Sequence, residues 1–95
     1  MSAGPAFTEA SVPRLRRGVR LRFDQRRQAW VLLAPERVLL PDETAVAVLQ
    51  RCDGNASVGV IVDDLCRAYD AERALIAQDV RALLQDLAEK GVIGT

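Results

Sequence analysis

The stretch Trp30–Gly54, WVLLAPERVLLPDETAVAVLQRCDG, decides the fold. Its two apolar runs, Trp30–Leu33 and Val38–Leu40, are too short for helices, and the APER sequence between them has the composition of a turn. The second run is followed by PDE, where a proline and two acidic residues suit the first turn of a helix. Gly54 suits the end of that helix because glycine readily adopts a left-handed backbone. The stretch therefore predicts two strands that lead into a helix, and it carries few side chains suited to catalysis.

The flanking sequence predicts one further strand and two further helices. In Gly18–Asp24, apolar and polar residues alternate, which is typical of a strand with one buried and one solvated face. Because the connections between the three strands are short, an antiparallel meander is the favoured topology. Downstream, Asp42–Cys52 is the first predicted helix, and Ser57 is the predicted N-cap of a second helix that runs to Tyr69.

The third predicted helix has the strongest apolar stripe in the chain. Asp70 is its predicted N-cap, and Lys90 and Gly91 suit its C-terminus. The stripe consists of Leu75, Ile76, Val80, Leu83, Leu84 and Leu87. The short connection at residues 53–56, between the first two helices, is compatible with a helix-turn-helix. The predicted fold class is therefore α+β, a winged helix-turn-helix in which a three-stranded antiparallel sheet is followed by three helices.

Length and composition predict one cytoplasmic domain. The chain has 95 residues, of which 49% are hydrophobic, and this allows a single modest core. Residues 1–12 are mostly small and polar, so we expect a flexible N-terminal segment before a folded domain over residues 13–95. No apolar run approaches the roughly 20 residues of a membrane span. The N-terminus also lacks the charged-then-apolar layout of a secretory signal.

The sequence argues against an enzyme. It contains no histidine, which excludes histidine-activated nucleophiles and imidazole metal ligands. Cys52 and Cys66 do not suffice for a usual zinc site, and we interpret them as buried and reduced rather than disulfide-bonded or redox-active. The carboxylate pairs Asp63–Asp64 and Asp42–Glu43 fit a helix surface and a helix start better than catalytic acids. We therefore predict no catalytic residue, no metal site and no cofactor.

Charge divides the chain into a basic first part and an acidic second part. Residues 1–40 contain eight arginines and three acidic residues, a net charge of +5, whereas residues 41–95 contain five basic and ten acidic residues, a net charge of −5. Such an asymmetry concerns partners rather than fold. Seven arginines within Arg14–Arg27, beside a possible helix-turn-helix, make a small DNA-binding transcription factor an alternative function. However, the second helix carries two aspartates and one arginine, a poor surface for phosphate, so we favour a basic strand face that docks an acidic protein surface.

Four segments of the chain resemble one known family. The segments GVRLRFD, WVLLAPERV, AVLQRCDG and DVRALLQDLAEKGVI resemble the PqqD family of pyrroloquinoline quinone (PQQ) biosynthesis. The resemblance covers residues 13–93, and its most specific part is WVLLAPERV followed by a helix that ends in CDG. The chain departs from the family pattern at Pro41, where a non-proline residue is expected, although proline suits a helix start.

The resemblance implies a peptide chaperone of the kind called a RiPP recognition element, which binds the precursor of a ribosomally made, modified peptide. Family members bind the precursor peptide PqqA and present it to the radical S-adenosylmethionine (SAM) enzyme PqqE, and they have no cofactor of their own. In related domains the precursor adds as an extra strand along the third strand, over a groove formed with the third helix. By position, the implied peptide-binding residues are Arg37, Val38, Leu39, Leu40, Leu75, Asp79, Val80 and Leu83. Among them, Arg37 is expected to meet acidic groups of the peptide, and Asp79 or the nearby Asp86 is expected to meet basic groups. The basic strand face, with Arg20 and Arg22, is predicted to dock the modifying enzyme.

The sequence leaves the surroundings of the third strand open. Neighbouring strand residues face opposite sides, so Val38, Leu39 and Leu40 do not all point into the core. The residues that point away would meet a peptide, the third helix or a second copy of the chain, and a homodimer is therefore an alternative state. Trp30, among apolar neighbours, is predicted to pack in the core rather than to stack on a ligand.

Overall fold

Residues 7–95 are described by the computed structural model, and they form five strands and three helices. In chain order these elements are β1 (Arg14–Leu15), β2 (Arg20–Asp24), β3 (Ala29–Ala34), β4 (Arg37–Leu39), α1 (Glu43–Leu49), α2 (Val58–Tyr69), α3 (Arg73–Glu89) and β5 (Ile93–Gly94). The α+β fold class is confirmed, and the order of sheet and helices is compatible with a winged helix-turn-helix. Within residues 7–95, no helix has both the length and the apolar composition that crossing a membrane requires.

The three-stranded sheet is the predicted antiparallel meander, with β3 in the centre and β2 and β4 at its edges. The register places Leu21 opposite Leu32 and Leu32 opposite Leu39. These three leucines share the face that packs on the helices, because Leu32 belongs to the buried core and the other two pack against it. In the part of the chain that the structure describes, β4 pairs with β3 alone, and its other edge is open.

The first two helices begin where the sequence predicts. The Asp42 carboxylate accepts a hydrogen bond from the Ala45 N–H at 2.8 Å, and the Ser57 hydroxyl accepts one from the Val60 N–H at 3.2 Å. Both bonds satisfy an amide that has no partner within its helix. The cap at Asp42 matters for the site described below, because it directs the chain from the end of β4 straight into α1.

Two predicted helix boundaries are wrong. Asp70 does not cap α3: it has a left-handed backbone with φ 50° and ψ 52°, and it ends α2. Aspartate tolerates this conformation better than most residues, so it stops a helix as readily as it starts one. The first helix ends at Leu49 rather than Cys52. The Cys52 N–H donates to the carbonyl three residues earlier, which tightens the chain out of the α-helix before Gly54.

The core lies between the inner face of the sheet and the three helices. Leu32, Val48, Ile61 and Leu84 are each at most 1% exposed, and they come from β3, α1, α2 and α3 in that order. The predicted stripe of α3 is only partly buried: Val80, Leu84 and Leu87 lie in the core, Ile76 and Leu83 are half-buried, and Leu75 is exposed. Leu75 and the exposed parts of Ile76 and Leu83 are therefore available for other contacts.

The pairing of β1 with β5 was not predicted. Arg14 lies opposite Gly94 and Leu15 opposite Ile93, and the Arg16 N–H extends the ladder by donating to the Val92 carbonyl at 3.0 Å. Each strand has two residues, which is too short to produce a periodic pattern, and the two are separated by almost the whole chain. The ladder joins the basic start of the domain to the end of α3.

The start of the described chain packs on the helices. Composition predicts a flexible segment over residues 1–12, of which residues 1–6 lie outside the described residues. In the remainder, Phe7 is 7% exposed, and the carbonyls of Glu9 and Ser11 accept hydrogen bonds from the first amides of α2. Arg73 holds the Glu9 carboxylate with two bonds of 2.8 and 2.9 Å. Residues 7–12 are thus attached to the domain by an aromatic side chain, backbone bonds and an ion pair.

We predict that Phe7→Ala lowers the free energy of unfolding by about 3 kcal/mol, since it removes a buried aromatic ring. Phe23→Ala is the matched control, because Phe23 is 39% exposed and pairs with Trp30 on the surface, so its loss should cost about 1 kcal/mol. Urea denaturation followed by circular dichroism measures both values. Equal losses for the two variants would show that Phe7 does not belong to the core in solution.

We also predict that Glu9 makes stability depend on acid pH. Hydrogen bonding to Arg73 holds the pKa of Glu9 below its ordinary value of 4.5. A carboxyl whose pKa is lowered by folding stabilises the fold above its ordinary pKa, and this contribution is lost as the pH falls through the folded value. Thermal denaturation from neutral pH to pH about 3 should therefore show a shallower acid loss for Glu9→Gln than for the unaltered chain. An unchanged acid profile in Glu9→Gln would contradict the assigned ion pair.

Candidate functional site

A groove runs between the open edge of β4 and the C-terminal half of α3. It encloses a cavity of about 230 Å³. The lining residues are Leu32, Leu39, Leu40, Pro41, Asp42, Ala45, Leu49, Leu83, Asp86, Leu87 and Lys90. The floor is apolar because β3, α1 and α3 all contribute core-facing side chains. Charged residues stand only at the margins, so the groove suits an apolar side chain carried by an extended backbone.

The three predicted residues of the third strand point in different directions. Leu39 is half-buried, packs against the core and lines the groove. Val38 is 54% exposed on the opposite face of the sheet, as the two-residue period of a strand requires. Leu40 follows the end of β4, is 65% exposed and lines the mouth of the groove. The strand therefore presents apolar side chains on both sides of its unpaired backbone.

The predicted residues of α3 are only partly brought together. Leu83 lines the groove beside Leu39 and Leu40. Asp79 and Leu75 lie four and eight residues earlier, so Leu75 is about 12 Å from Leu83 along the helix axis. Both are exposed, and neither lines the cavity. Val80 is 2% exposed in the core, so the structure does not bring its side chain to the surface.

Leu87 and Lys90 line the groove but were missed as site residues, whereas Asp86, a candidate for meeting basic groups of the peptide, also lines it. Asp86 and Lys90 form an ion pair of 2.6 Å along the exposed edge of α3. The stripe that continues from Leu83 at spacings of three and four contains these positions, and this was the signal that could have found them. Which end of the stripe faces β4 depends on how the helix crosses the sheet, and periodicity carries no information on that.

Arg37 lies at the end of the groove, where it is tied to the end of α3. Its guanidinium donates a hydrogen bond to the Lys90 carbonyl. Beyond this contact lies a second cavity of about 410 Å³, lined by Ala34, Pro35, Glu36, Arg37, Lys90, Gly91 and Val92. Arg37 was expected to meet a peptide carboxylate, whereas in this structure it bridges β4 and α3 and lines the second cavity.

The outer face of the sheet is basic and partly apolar. Arg20, Leu33 and Val38 lie in register across the three strands, and Arg22 lies opposite Val31. Both arginines are exposed, and neither takes part in an ion pair within residues 7–95. This face is on the side of the sheet opposite the groove, so a second macromolecule can contact it without entering the groove.

The Trp30 side chain is only partly buried, and it contacts another aromatic ring. It is half-buried at one end of the sheet, and its ring meets Phe23 edge to face, with centroids 5.6 Å apart. Its other side lines a shallow cavity of about 370 Å³ with Val46 and Tyr69, among other residues. Trp30 is not among the residues that form the core or pack against it, so the expected core packing of Trp30 is wrong.

The charged residues of α2 are used within the domain. Asp64 pairs with Arg67 at 2.8 Å and with Arg51 at 3.5 Å, while Asp63 pairs with Arg73 at 2.8 Å. These carboxylates are surface ion-pair partners, as expected, rather than a catalytic pair. A helix that presents two carboxylates is a poor reader of the phosphate backbone, so the arrangement disfavours DNA binding through α2.

Both cysteines are free thiols. Cys52 is 4% exposed, its Sγ lies 3.3 Å from the Val48 carbonyl, and burial raises the pKa of its thiol to about 12. Cys66 is half-buried on α2. A thiol with so high a pKa stays protonated near neutral pH and is a poor nucleophile, so Cys52 acts as a packing residue.

Sequence comparison identifies the family. The family model described as "Coenzyme PQQ synthesis protein D (PqqD)" matches residues 29–93, which include β3, β4 and all of the groove-lining residues. The chain belongs to the PqqD family. A "PqqA binding protein" of Rhodopseudomonas palustris (strain BisB5) is 58% identical over 86 residues, covering 90% of this chain and 84% of that protein. Another of the same name, from Bradyrhizobium diazoefficiens, is 53% identical over 94 residues, covering 96% and 91%.

A solved structure of the PqqD family has the same fold. The solution NMR structure of the PqqD truncation of Methylobacterium extorquens PqqCD aligns with a TM-score of 0.82 and 49% identity, covering 95% of this chain and 96% of that one. That protein is described as a functional, stand-alone RiPP recognition element. The names of these relatives are those of binding proteins, which agrees with the expectation that a PqqD-family chain is not an enzyme.

Proposed function

We propose that the chain binds the precursor peptide PqqA as an additional strand along β4 and presents it to the radical SAM enzyme PqqE in PQQ biosynthesis. The open edge of β4 beside an apolar groove is the observation that carries this proposal. An unpaired strand edge offers main-chain amides and carbonyls to an extended peptide, and adjoining pockets select its side chains. Relatives of this chain that are 53 to 58% identical are named for binding PqqA.

Strand addition assigns the two faces of the peptide to different surfaces. The side chains at every second position of the peptide enter the groove, where they contact Leu39, Leu83 and Leu87. The side chains at the positions between them lie on the outer face beside Val38. Main-chain bonds supply affinity without regard to sequence, and the apolar groove sets the register.

The remaining predicted peptide-binding residues lie outside the groove cavity and have supporting roles in this proposal. Leu75 and Asp79 contact a part of the peptide that extends beyond the cavity along α3, since both are exposed on the helix. Arg37 holds the end of α3 against β4 and sets the width of the groove. Val80 supports α3 from the core.

Delivery to the enzyme uses the outer face of the sheet. Arg20 and Arg22 provide a positive surface there, and an acidic face of PqqE is the proposed counterpart. Because the groove faces the other way, the peptide and the enzyme can be bound together. The ribosome makes the precursor in the cytoplasm, and the two free cysteines suit that reducing compartment, so we place the protein there.

We predict that Leu40→Ala weakens PqqA binding about tenfold, which corresponds to about 1.4 kcal/mol. Leu40 lines the groove and is exposed, so its truncation removes a peptide contact at little cost to folding. Val60→Ala is the control, because Val60 is an exposed apolar residue of α2 that does not line the groove. Isothermal titration calorimetry measures both affinities. An unchanged affinity in Leu40→Ala would count against the groove.

A scan of N-methylated PqqA peptides tests strand addition itself. N-methylation removes one amide donor, so affinity should fall at every second position of the paired segment and stay nearly constant between them. Sedimentation shows whether a β4-to-β4 homodimer competes with the peptide, in which case added peptide shifts dimer to monomer. A loss without two-residue periodicity would reject strand pairing.

We predict that Arg20→Glu/Arg22→Glu weakens association with PqqE at least tenfold and leaves the affinity for PqqA within about twofold. Arg20→Lys/Arg22→Lys keeps the charge and should retain most of the enzyme binding. Surface plasmon resonance at two salt concentrations measures these effects. Normal enzyme binding by the glutamate variant would place the docking surface elsewhere.

A further inference from the structure

A cavity of about 640 Å³ lies at the β1–β5 ladder, outside the groove. Its lining residues are Arg14, Leu15, Arg16, Arg17, Ala88, Ile93, Gly94 and Thr95. The three arginines are exposed, and among residues 7–95 none of them takes part in an ion pair. Three arginines around one concave surface, none of them held in an ion pair, produce a local positive potential.

The ladder holds the stems of these arginines close to the backbone. The Arg16 N–H is bonded to the Val92 carbonyl, and a Cβ at Gly94 would lie 3.6 Å from the Arg16 Cγ. A Cβ at Gly54 would likewise lie 3.6 Å from the Arg14 Cβ. The stems of Arg14 and Arg16 therefore lie directly beside the main chain at these two glycines. The cluster is therefore positioned by the fold rather than carried on a free terminus.

The peptide groove, the cavity beyond Arg37 and the arginine cavity are lined in succession by one segment of the chain, residues 90–95. Lys90 lines the groove, Lys90–Val92 line the cavity beyond Arg37, and Ile93–Thr95 line the arginine cavity. Gly94 lies four positions after Lys90, a distance of at most about 13 Å in extended chain. A peptide that leaves the Arg37 end of β4 can reach the arginines with roughly four residues of its own.

We propose that Arg14, Arg16 and Arg17 bind an acidic segment of the same peptide whose neighbouring segment pairs with β4. This inference rests on the function proposed above. Arginine binds carboxylates through two parallel hydrogen bonds, so a segment rich in aspartate or glutamate is the matching ligand. Asp42 lines the opposite end of the groove, beyond Leu40, and Glu43 follows it as the first residue of α1. The groove is thus acidic at one end and basic at the other, and this polarity selects one direction of the bound peptide.

The test compares two double charge reversals that change the net charge equally. Arg16→Glu/Arg17→Glu alters the cavity, and Arg26→Glu/Arg27→Glu alters the turn between β2 and β3. The probe is fluorescein-labelled PqqA, together with a form in which every aspartate and glutamate is replaced by its amide. Fluorescence anisotropy at about 50 and about 300 mM NaCl measures affinity and its salt dependence. Both pairs of residues are exposed, and circular dichroism verifies folding.

The expected result is a loss of at least tenfold at low salt for Arg16→Glu/Arg17→Glu and of less than threefold for the control. The amide form of PqqA should bind the unaltered chain as weakly as the acidic form binds the variant. Equal losses in both double variants, or no loss in either, would overturn the proposal. It would also be overturned if the variant bound PqqA normally but failed to bind PqqE. Leu40→Ala weakens binding at both salt concentrations, so failure of the groove is distinguished from failure of the arginine site.

Discussion

Burial of Leu32 at the centre of β3 is the constraint on which the rest of the structure depends. Its side chain is 1% exposed, and it lies between Leu21 and Leu39 on the inner face of the sheet. A shift of one residue in strand register would exchange the two faces and expose this leucine ladder. Because the helices pack on that ladder, the register also determines where α3 lies beside β4. The floor of the groove is therefore part of the core itself.

A site of this kind suits recognition without chemistry. The open backbone of β4 provides directional hydrogen bonds, and the apolar floor adds area that is dehydrated when a peptide binds. An open strand edge exposes a protein to self-association, and in this fold β4 is short, with three residues, and is followed at once by Pro41 and the α1 cap. The shortness of β4 limits pairing between two copies of the chain. A peptide that also contacts α3 would gain more binding free energy than the β4 strand of a second copy would.

Local sequence signals account for the elements of the fold that could be predicted. The alternation in β2, the turn before β4, and the caps at Asp42 and Ser57 are local signals, and the structure contains each of them. Asp70 was assigned to the wrong helix because one residue type both ends and starts helices. The β1–β5 ladder gave no local signal, since two residues per strand have no period. In the site, Leu39, Leu40 and Leu83 were found from the family resemblance, whereas Leu87 and Lys90 were not.

The sequence by itself determined the class of the fold, the central meander, the division of charge and the family, since each is written in local pattern or composition. Tertiary structure alone decided that Leu39 rather than Val38 faces the groove, that Val80 is buried in the core, and that Arg37 bonds to the Lys90 carbonyl at the end of the groove. It also brought the arginines of β1 to the end of α3. The physical reason is that a helix stripe is wider than the surface it buries. Only the crossing of helix over sheet selects which of its residues remain exposed.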